Sequence, residues 1–196
     1  MLNDIDFIKT CDVPGPSKEA IRAIALYKSE VTEKDIVVDV GCGTGGFTCE
    51  FGQKAGKVIG IDTNPEAIRI TRENLRKFNI DGDVTLINDD GVNALKSIDK
   101  IDIAIVGGSG RELDEILELI DEKLNPKGRI IITAILVDTK VEAINKLKEL
   151  GYNPQIMEVN ISKGRVIDRG IMMMGENPIA IISAKKRWKK WKLIGK

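Results

Sequence analysis

Five short apolar runs, each rich in Val and Ile and bounded by turn residues, recur along the first two thirds of the chain. Runs of this length and composition are typical of parallel strands that are buried on both faces of a sheet. They cover residues 36–40 (IVVDV), 57–61 (KVIGI), 84–88 (VTLIN), 101–106 (IDIAIV) and 129–134 (RIIITA).

Segments with helical spacing alternate with these runs. Three of them cover residues 65–79, 111–124 and 138–150. Pro65 stands at a favoured first helical position, and Gly151 follows the last of these helices. Ahead of the first strand, residues 16–30 have a further helical pattern, which we expect to begin near Ser17. Strand and helix therefore alternate, which predicts an α/β fold with a mostly parallel sheet and helices on both faces.

The pattern changes after Leu150. Residues 153–162 (NPQIMEVNIS) and 178–184 (PIAIISA) predict two strands, and the Gly- and Arg-containing segment between them has no helical spacing. Strands without a crossover helix between them pair in an antiparallel sense. We therefore expect one domain over residues 1–184, whose last strand is antiparallel to the rest of the sheet.

The composition is that of a soluble globular protein. Hydrophobic residues make up 42% of the 196 residues and charged residues 31%. The start of the chain has no basic region followed by an apolar one, and no apolar run approaches the length of a membrane helix, so we expect a cytoplasmic location. There are three cysteines, no Cys-x-x-Cys pair and no histidine, so we expect neither a metal site nor a disulfide framework.

A formal net charge of zero hides an asymmetry. Residues 185–196 (KKRWKKWKLIGK) hold seven of the 30 basic residues and no acidic one, which leaves 23 basic against 30 acidic residues in the body. Both tryptophans, Trp188 and Trp191, also lie in this tail. Basic residues interleaved with aromatic rings are typical of a single-stranded nucleic-acid contact, and a solvated end or a strip along the acidic body is the alternative.

The chemistry is concentrated in residues 36–50 (IVVDVGCGTGGFTCE), where a strand ends in a glycine-rich turn that opens a helix. Such a turn fits either a dinucleotide or S-adenosylmethionine (SAM). Asp39, two residues before Gly41, would repel a pyrophosphate, whereas it suits the ammonium and sulfonium groups of SAM. The sequence therefore favours SAM, with Asp39 among its contacts.

Two further acidic positions are candidates for the cofactor. Asp62 ends the second strand, where a carboxylate can accept hydrogen bonds from both ribose hydroxyls; the alternative is a helix N-cap, a role that suits Asn64 or Thr63 better. After the third strand, Asp90 could accept from the adenine amino group while the backbone of Gly91 lies against the ring. A capped turn is an equally good interpretation there.

The segment 106–116 (VGGSGRELDEI) ends the fourth strand in a second glycine loop. Its position predicts that the backbone of Gly108, Ser109 and Gly110 lies beside the transferable methyl group and could hold an anion or carboxylate. The loop has no Asn-Pro-Pro or Asp-Pro-Pro run of the kind used to methylate base amino groups. With no histidine, a general base would have to be a carboxylate, Tyr, Lys or the substrate itself.

Several motifs together resemble the decarboxylating cobalt-precorrin-6B methyltransferases of the anaerobic cobalamin pathway, archaeal type. The resemblance extends from about Phe7 to Ser183. The motifs are FIK (7–9), VPGP (13–16), VDVGCGTGG (38–46), NPEAI (64–68), GGSG (107–110), GRIIITAIL (128–136) and RVIDRGIMM (165–173). The glycine loop alone identifies only the methyltransferase superfamily, whereas VPGP, GGSG and the segment ending in MM are narrower.

The resemblance implies a Rossmann-like, seven-stranded SAM-dependent methyltransferase fold. It implies methylation of carbon 15 of the corrinoid ring with loss of carbon dioxide from the acetate on carbon 12, and a homo-oligomer, with a tetramer favoured. The implied cofactor contacts are Ser17, Gly41, Cys42, Gly43, Thr44, Gly45, Asp62 and Gly91. Because the substrate carries several carboxylates, Arg111, Arg165 and Arg169 are candidates for binding it; surface ion pairs with Glu115 or Asp168 are the alternative.

The basic tail is not part of the family resemblance. Two other functions stay open. One is an RNA methyltransferase guided by residues 185–196. The other is a protein that binds SAM without turnover. No catalytic side chain is assigned from the sequence.

Overall fold

The structure, a computed structural model, describes residues 1–186. Helices and strands alternate through most of this part of the chain. The helices are α1 (Glu19–Ser29), α2 (Gly46–Gly52), α3 (Pro65–Lys77), α4 (Gly91–Lys96), α5 (Leu113–Lys123) and α6 (Val137–Glu149). The strands are β1 (Ile36–Val40), β2 (Lys57–Asp62), β3 (Asp83–Asn88), β4 (Ile101–Val106), β5 (Leu124–Ala134), β6 (Gln155–Val159), β7 (Ser162–Ile167), β8 (Gly170–Gly175) and β9 (Ile179–Lys185).

Seven strands form one sheet in the order β3-β2-β1-β4-β5-β9-β6. The first five are parallel to one another, and β9 is antiparallel to both β5 and β6. The predicted α/β fold with an antiparallel last strand is thus confirmed. Strand order reverses at β1, which lies between β2 and β4. In open α/β sheets a ligand crevice forms at such a switch point, beyond the carboxyl ends of the strands.

Helices cover both faces of the sheet because side chains alternate along each strand. On β1, Val38 and Val40 join the core beneath α4, α5 and α6, whereas Val37 joins the core beneath α1 and α2. The same alternation turns Asp39 towards α2. This orientation decides what its carboxylate contacts.

Helix starts were predicted with mixed success. Asn64 caps α3, since its side-chain oxygen accepts from the backbone N–H of Glu66 at 2.9 Å; it is one of the two residues, with Thr63, that the sequence offered for this role. The start of α1 was predicted near Ser17, and the observed N-cap is the next residue, Lys18, whose carbonyl accepts the first helical bond from Arg22. Ser17 instead belongs to the extended segment that precedes the helix.

Residues 162–175 form a hairpin that the sequence pattern did not predict. Strands β7 and β8 pair with each other in a separate two-stranded sheet. Strand β9 includes Lys185, and the backbone N–H of Lys186 donates to the carbonyl of Gly128 at 2.8 Å. The first two residues of the predicted tail therefore contact the sheet, and the division of the chain at residue 184 stays a prediction. The rest of the predicted tail, with both tryptophans, lies outside the described residues.

Candidate active site

A cavity of about 820 Å³ opens at the switch point, beyond the carboxyl ends of β1, β2 and β4. Its size is within the range of small-molecule sites in proteins. Its walls are the glycine loop after β1, the end of β2, the loop after β4, the end of β5 and the segment 13–18 ahead of α1. The sequence predicted the first, second and third of these walls and, in the fifth, Ser17.

The glycine loop is held against two neighbouring strands. The backbone N–H groups of Gly41 and Cys42 both donate to the carbonyl of Ile61, at 2.9 and 3.0 Å. Gly41 has a φ of 77°, and a Cβ atom there would lie 2.6 Å from the backbone nitrogen of Gly108. Any side chain at Gly41 would therefore push the two glycine loops apart. The close approach of these loops leaves bare backbone facing the cavity.

Asp62 joins the glycine loop to the start of α3. One carboxylate oxygen accepts from the backbone N–H of Gly43 at 2.8 Å, and the other accepts from that of Asn64 at 2.9 Å. Each carboxylate oxygen has lone pairs left to accept from a ligand. Asp62 also lines the cavity. It is thus placed for the predicted ribose contact and supports the loop as well.

Asp39 lies behind the cavity wall and not on it. It is 1% exposed, and one of its carboxylate oxygens accepts from the Thr48 hydroxyl at 2.6 Å. The other oxygen has no hydrogen-bond partner among the described residues. Burial, reinforced by the nearby charge of Asp62, raises the pKa of Asp39 to about 6 although Thr48 acts in the opposite direction. Direct contact with a ligand, as predicted, would need a different orientation of this side chain.

The acid that faces the cavity after β3 is Asp89, one residue before the predicted Asp90. Asp90 is the N-cap of α4: its two carboxylate oxygens accept from the backbone and side-chain nitrogens of Asn93, at 2.7 and 2.6 Å. The capped turn, which the sequence left open, is thus present. Gly91 lines the cavity. The sequence offered one signal for this shift, because an acid directly before a helix is a preferred N-cap.

The other predicted cofactor residues divide between the cavity and the core. Ser17, Gly41, Cys42 and Gly43 line the cavity. Thr44 is fully buried, and its carbonyl accepts from the side-chain amide of Asn74 at 2.9 Å. Gly45 packs on Thr71, since a Cβ atom at Gly45 would lie 2.8 Å from that side chain. Thr44 and Gly45 are therefore outside the cavity lining, and their contacts are those of loop support.

The second glycine loop lines the cavity over residues 107–110. Its amides are only partly available, because those of Gly107 and Gly108 donate to the carbonyl of Val40 at 2.9 and 3.3 Å. An anion cradle that uses the Gly108 N–H, as predicted, is excluded while that bond is made. Ser109 faces the cavity from the same loop.

None of the three predicted arginines lines the cavity. Arg165 lies in β7 and Arg169 in the turn before β8, and both are exposed, as is Arg111. The predicted alternative for Arg111, an ion pair with Glu115, is also absent from the described part of the chain, where Glu115 pairs with Lys96 at 3.6 Å. The positions of these three arginines in the sequence did not indicate whether their side chains would face the cavity.

Two lysines face the cavity instead. Lys9 and Lys18 are the basic residues of its described lining, and Lys18 also lies 3.7 Å from Glu176. The other charged residues of the lining are acidic: Asp4, Asp62, Asp89 and Glu112. The two lysines were missed because the segment ahead of α1 has no regular pattern. Among the described residues there is no cluster of acidic or sulfur side chains that could hold a metal ion.

A family model described as the precorrin methyltransferase domain matches residues 16–186. The match covers most of the chain. It includes the whole seven-stranded sheet and all the cavity walls, apart from the lining residues that precede residue 16. The chain belongs to the precorrin methyltransferase domain family. Its methyl donor is SAM, and the bare glycine backbone and the carboxylate of Asp62 fit that molecule.

Relatives in this precorrin methyltransferase family agree over nearly the full length. A Methanobrevibacter smithii protein named probable cobalt-precorrin-6B C(15)-methyltransferase (decarboxylating) is 76% identical over 187 residues, covering 95% of this chain and 100% of that protein. A crystal structure from Methanobacterium thermoautotrophicum, described as precorrin 8W decarboxylase, is 48% identical with a TM-score of 0.92, covering 94% and 99% of the two chains. A precorrin-6y C5,15-methyltransferase from Geobacter metallireducens is 28% identical with a TM-score of 0.88, covering 95% and 98%.

Proposed function

We propose that this chain methylates carbon 15 of cobalt-precorrin-6B with SAM as the methyl donor and removes carbon dioxide from the acetate on carbon 12, giving cobalt-precorrin-7. The observation that carries the substrate assignment is the 76% identity to a relative named for this reaction, over the whole of that relative. The cavity at the switch point supports the methyltransferase chemistry, because backbone and one carboxylate approach there without bulky side chains between them.

The cofactor side of the cavity lies between the glycine loop and the end of β3. In this proposal Asp62 accepts from the ribose hydroxyls, and the backbone of Gly91 lies against the adenine with Asp89 beside it. The glycine loop holds the methionine part of the ligand. SAM, when bound, supplies an electrophilic methyl group. The negative charge of buried Asp39 lies behind the loop and favours a cationic ligand over a pyrophosphate.

The substrate side lies between the loop after β4 and the loop after β5. Ile135 and Leu136 line the cavity there and are 56% and 66% exposed, and with Val137 at 68% they form a contiguous apolar surface. A flat conjugated macrocycle would cover this apolar surface. Lys9 and Lys18 at the opening are placed to meet the carboxylates of its side chains.

The chain contributes position and exclusion of water more than proton transfer. Loss of carbon dioxide breaks the carbon–carbon bond of the acetate and leaves its electron pair in the conjugated ring of the substrate. An enamine-like ring carbon then forms the new bond to the methyl group, and the sulfonium leaves as a neutral thioether. These reaction steps need no histidine, and the chain has none. Holding the two reactants in contact in a dry cavity supplies much of the rate enhancement.

Incubation of the full chain with SAM and cobalt-precorrin-6B tests the function by the mass of the product. We expect the gain of one methyl group and the loss of one carbon dioxide. A product that has gained only the methyl group would refute the decarboxylation. Methylation of RNA without corrinoid turnover, or SAM binding without any transfer, would refute the assignment in favour of the two alternatives from the sequence.

We also propose that the chain forms a homo-oligomer through the β7–β8 hairpin. Its side chains Val166, Ile171 and Met173 are 81%, 71% and 62% exposed, and an apolar hairpin surface of this kind is stable in water when another surface covers it. A tetramer is the state favoured by the family resemblance. Sedimentation at micromolar concentration should show an oligomer that Met173→Lys dissociates; a monomeric parent chain would refute this proposal.

A cytoplasmic location stays a prediction of the sequence, and none of the described helices is long and apolar enough to cross a membrane.

A further inference from the structure

Arg22 is a fully buried charged side chain with no part in the chemistry described above. Its guanidinium donates to Glu50 at 3.1 Å and to Asp4 at 2.6 Å. It also donates to the backbone carbonyls of Leu2 and Ser17. The backbone N–H of Leu2 donates in turn to the same oxygen of Glu50, at 2.8 Å. One buried side chain thus holds both ends of the segment 2–17, which we call the strap.

The strap forms a wall of the cavity. It is irregular up to α1, and its residues 13–17 line the cavity. It lies directly on the first glycine loop: a Cβ atom at Gly46 would be 3.0 Å from the backbone nitrogen of Ser17, and one at Gly43 would be 3.5 Å from the carbonyl of Pro14. A strap that moved away would open the cofactor side of the cavity to water.

A second anchor lies midway along the strap. The side-chain amide of Asn74 accepts from the backbone N–H of Ile8 at 2.7 Å and donates to its carbonyl at 3.1 Å. Phe7 is buried, with its ring centroid 4.9 Å from the guanidinium carbon of Arg22. Burial acts to raise the pKa of Asp4, but hydrogen bonds from Arg22 and the backbone of Glu19 outweigh it and hold that pKa below its usual value. Asp4 therefore stays charged and paired with Arg22 at neutral pH.

A buried ion pair is a poor source of stability, because removing two charges from water costs several kcal/mol that their attraction barely offsets. An apolar side chain would fill the position of Arg22 at no such cost. It would not, however, bind two backbone carbonyls and two carboxylates at once. What the guanidinium adds over an apolar residue is therefore a fixed position for the strap.

We propose that Arg22 is a positioning residue that holds the strap against the glycine loop and thereby sets the affinity for SAM. The proposal rests on the proposed function only in taking SAM as the ligand of this cavity. Arg22 does not line the cavity, so it acts through Ser17 and Asp4, which do. If the strap is released in most molecules, the apparent dissociation constant rises by the inverse of the fraction that keeps it in place.

Arg129 provides a matched control. Its side chain is 13% exposed, and its guanidinium donates to both oxygens of Asp35, at 3.2 and 3.0 Å, and to the carbonyls of Ser29 and Glu30. It thus also holds two carbonyls and a carboxylate. It ties the end of α1 to β5 and does not line the cavity. Arg22→Met and Arg129→Met remove the same kind of contact at different places.

The experiment measures SAM affinity by calorimetry and strap release by limited trypsin digestion after Lys9, on the full chain of each variant. We expect Arg22→Met to weaken SAM binding about tenfold or more, or ~1.4 kcal/mol, and to speed cleavage after Lys9. Arg129→Met should lower the thermal midpoint comparably and leave SAM affinity and cleavage after Lys9 within about twofold of the parent chain, since a released strap is what lowers the binding-competent fraction. Arg22→Lys, which keeps the charge and fewer of the bonds, should lie between parent and Arg22→Met.

Two results would overturn the proposal. One is unchanged SAM affinity and unchanged cleavage in Arg22→Met. The other is an equal loss of affinity in Arg22→Met and Arg129→Met, which would show a general effect of destabilisation. If Arg22→Met does not fold, Asp4→Asn keeps a side chain of the same size but removes the charge that pairs with Arg22 and, at 3.4 Å, with Lys163. It should change both readouts in the same direction, and no change there refutes the proposal. Trypsin cleavage needs no ligand, so an error in the proposed function would appear separately, as absent turnover of cobalt-precorrin-6B.

Discussion

Asp39 should make this protein less stable as the pH rises from about 4 to 7. Its pKa is raised from the ordinary value of 3.8 to about 6, chiefly because the carboxylate is buried. The folded state therefore holds a proton in this range that the unfolded chain has already lost. Stability falls with pH wherever the folded state binds more protons. At about 1.36 kcal/mol for each pH unit between the two pKa values, the loss amounts to about 3 kcal/mol at neutral pH.

The variant Asp39→Asn isolates this effect. The oxygen of the introduced amide can still accept from the Thr48 hydroxyl, but the amide nitrogen would occupy the position of the Asp39 oxygen that has no partner in the described structure. That buried donor costs about 1–3 kcal/mol, and this cost does not depend on pH. We therefore expect the difference in free energy of unfolding, parent minus variant, to fall by about 2–3 kcal/mol between pH 4 and pH 7.

Urea denaturation of both chains across this pH range measures the difference. Asp35→Asn is the control with the opposite sign. Burial acts to raise the pKa of Asp35, but hydrogen bonds from Arg129 and Thr32 outweigh it and lower that pKa. The stability that Asp35 contributes is present at neutral pH and is lost as the pH falls through its lowered pKa. A parent-minus-Asp39→Asn difference that stays constant from pH 4 to 7, or rises, would refute the reasoning about Asp39.

Three further predictions concern the cavity and the tail. Asp62→Ala removes a contact of roughly 1.5–3 kcal/mol, so SAM affinity measured by calorimetry should fall about tenfold or more, and unchanged affinity would limit Asp62 to loop support. Gly41→Ala places a Cβ atom 2.6 Å from Gly108, so SAM binding should be lost. Gly151→Ala is the control, because Gly151 has a similar positive φ of 85°, open space around its Cβ and no place in the cavity lining, and it should bind SAM normally. Equal affinities would contradict the close approach of the loops. Deletion of residues 187–196 should keep corrinoid turnover and abolish salt-dependent retention of single-stranded RNA, whereas loss of turnover would place the tail at the substrate site.

Local sequence patterns were sufficient for the strands of the seven-stranded sheet, for most helices and for the position of the cofactor loop. The apolar runs predicted β1 to β5 because short Val- and Ile-rich runs bounded by turn residues are typical of strands. The expected burial on both faces does not hold for β3, which lies at the edge of the sheet and has no buried residue. Asn64 was identified as a cap because capping involves groups only two residues apart. Motifs scattered from Phe7 to Ser183 indicated the family, which the match over residues 16–186 confirmed.

The sequence could not decide which of several neighbouring polar groups faces the cavity. Asp89 faces the cavity, whereas its neighbour Asp90 caps α4. Asp39 was expected to contact the ligand, but its side chain points to Thr48 in α2. Each of these outcomes depends on the direction in which one side chain leaves the backbone, and that direction changes from one residue to the next. An inference from spacing alone is accurate to about one or two residues at element ends. Asp89 and Asp90 differ by one residue, so spacing alone cannot distinguish them.

Contacts between distant segments were decided only by the tertiary structure. Gly41 meets Gly108, Arg22 binds Glu50 and both ends of the strap, and Lys9 and Lys18 reach the opening of the cavity. No periodicity records these pairs, because they form only when the sheet brings the carboxyl ends of β1 and β4 side by side and α1 packs across them. The sequence by itself determined that a SAM cavity would exist at the end of β1, since strand, turn and helix are local structures. Packing determined which side chains surround that cavity, since those side chains belong to segments that are far apart in the chain.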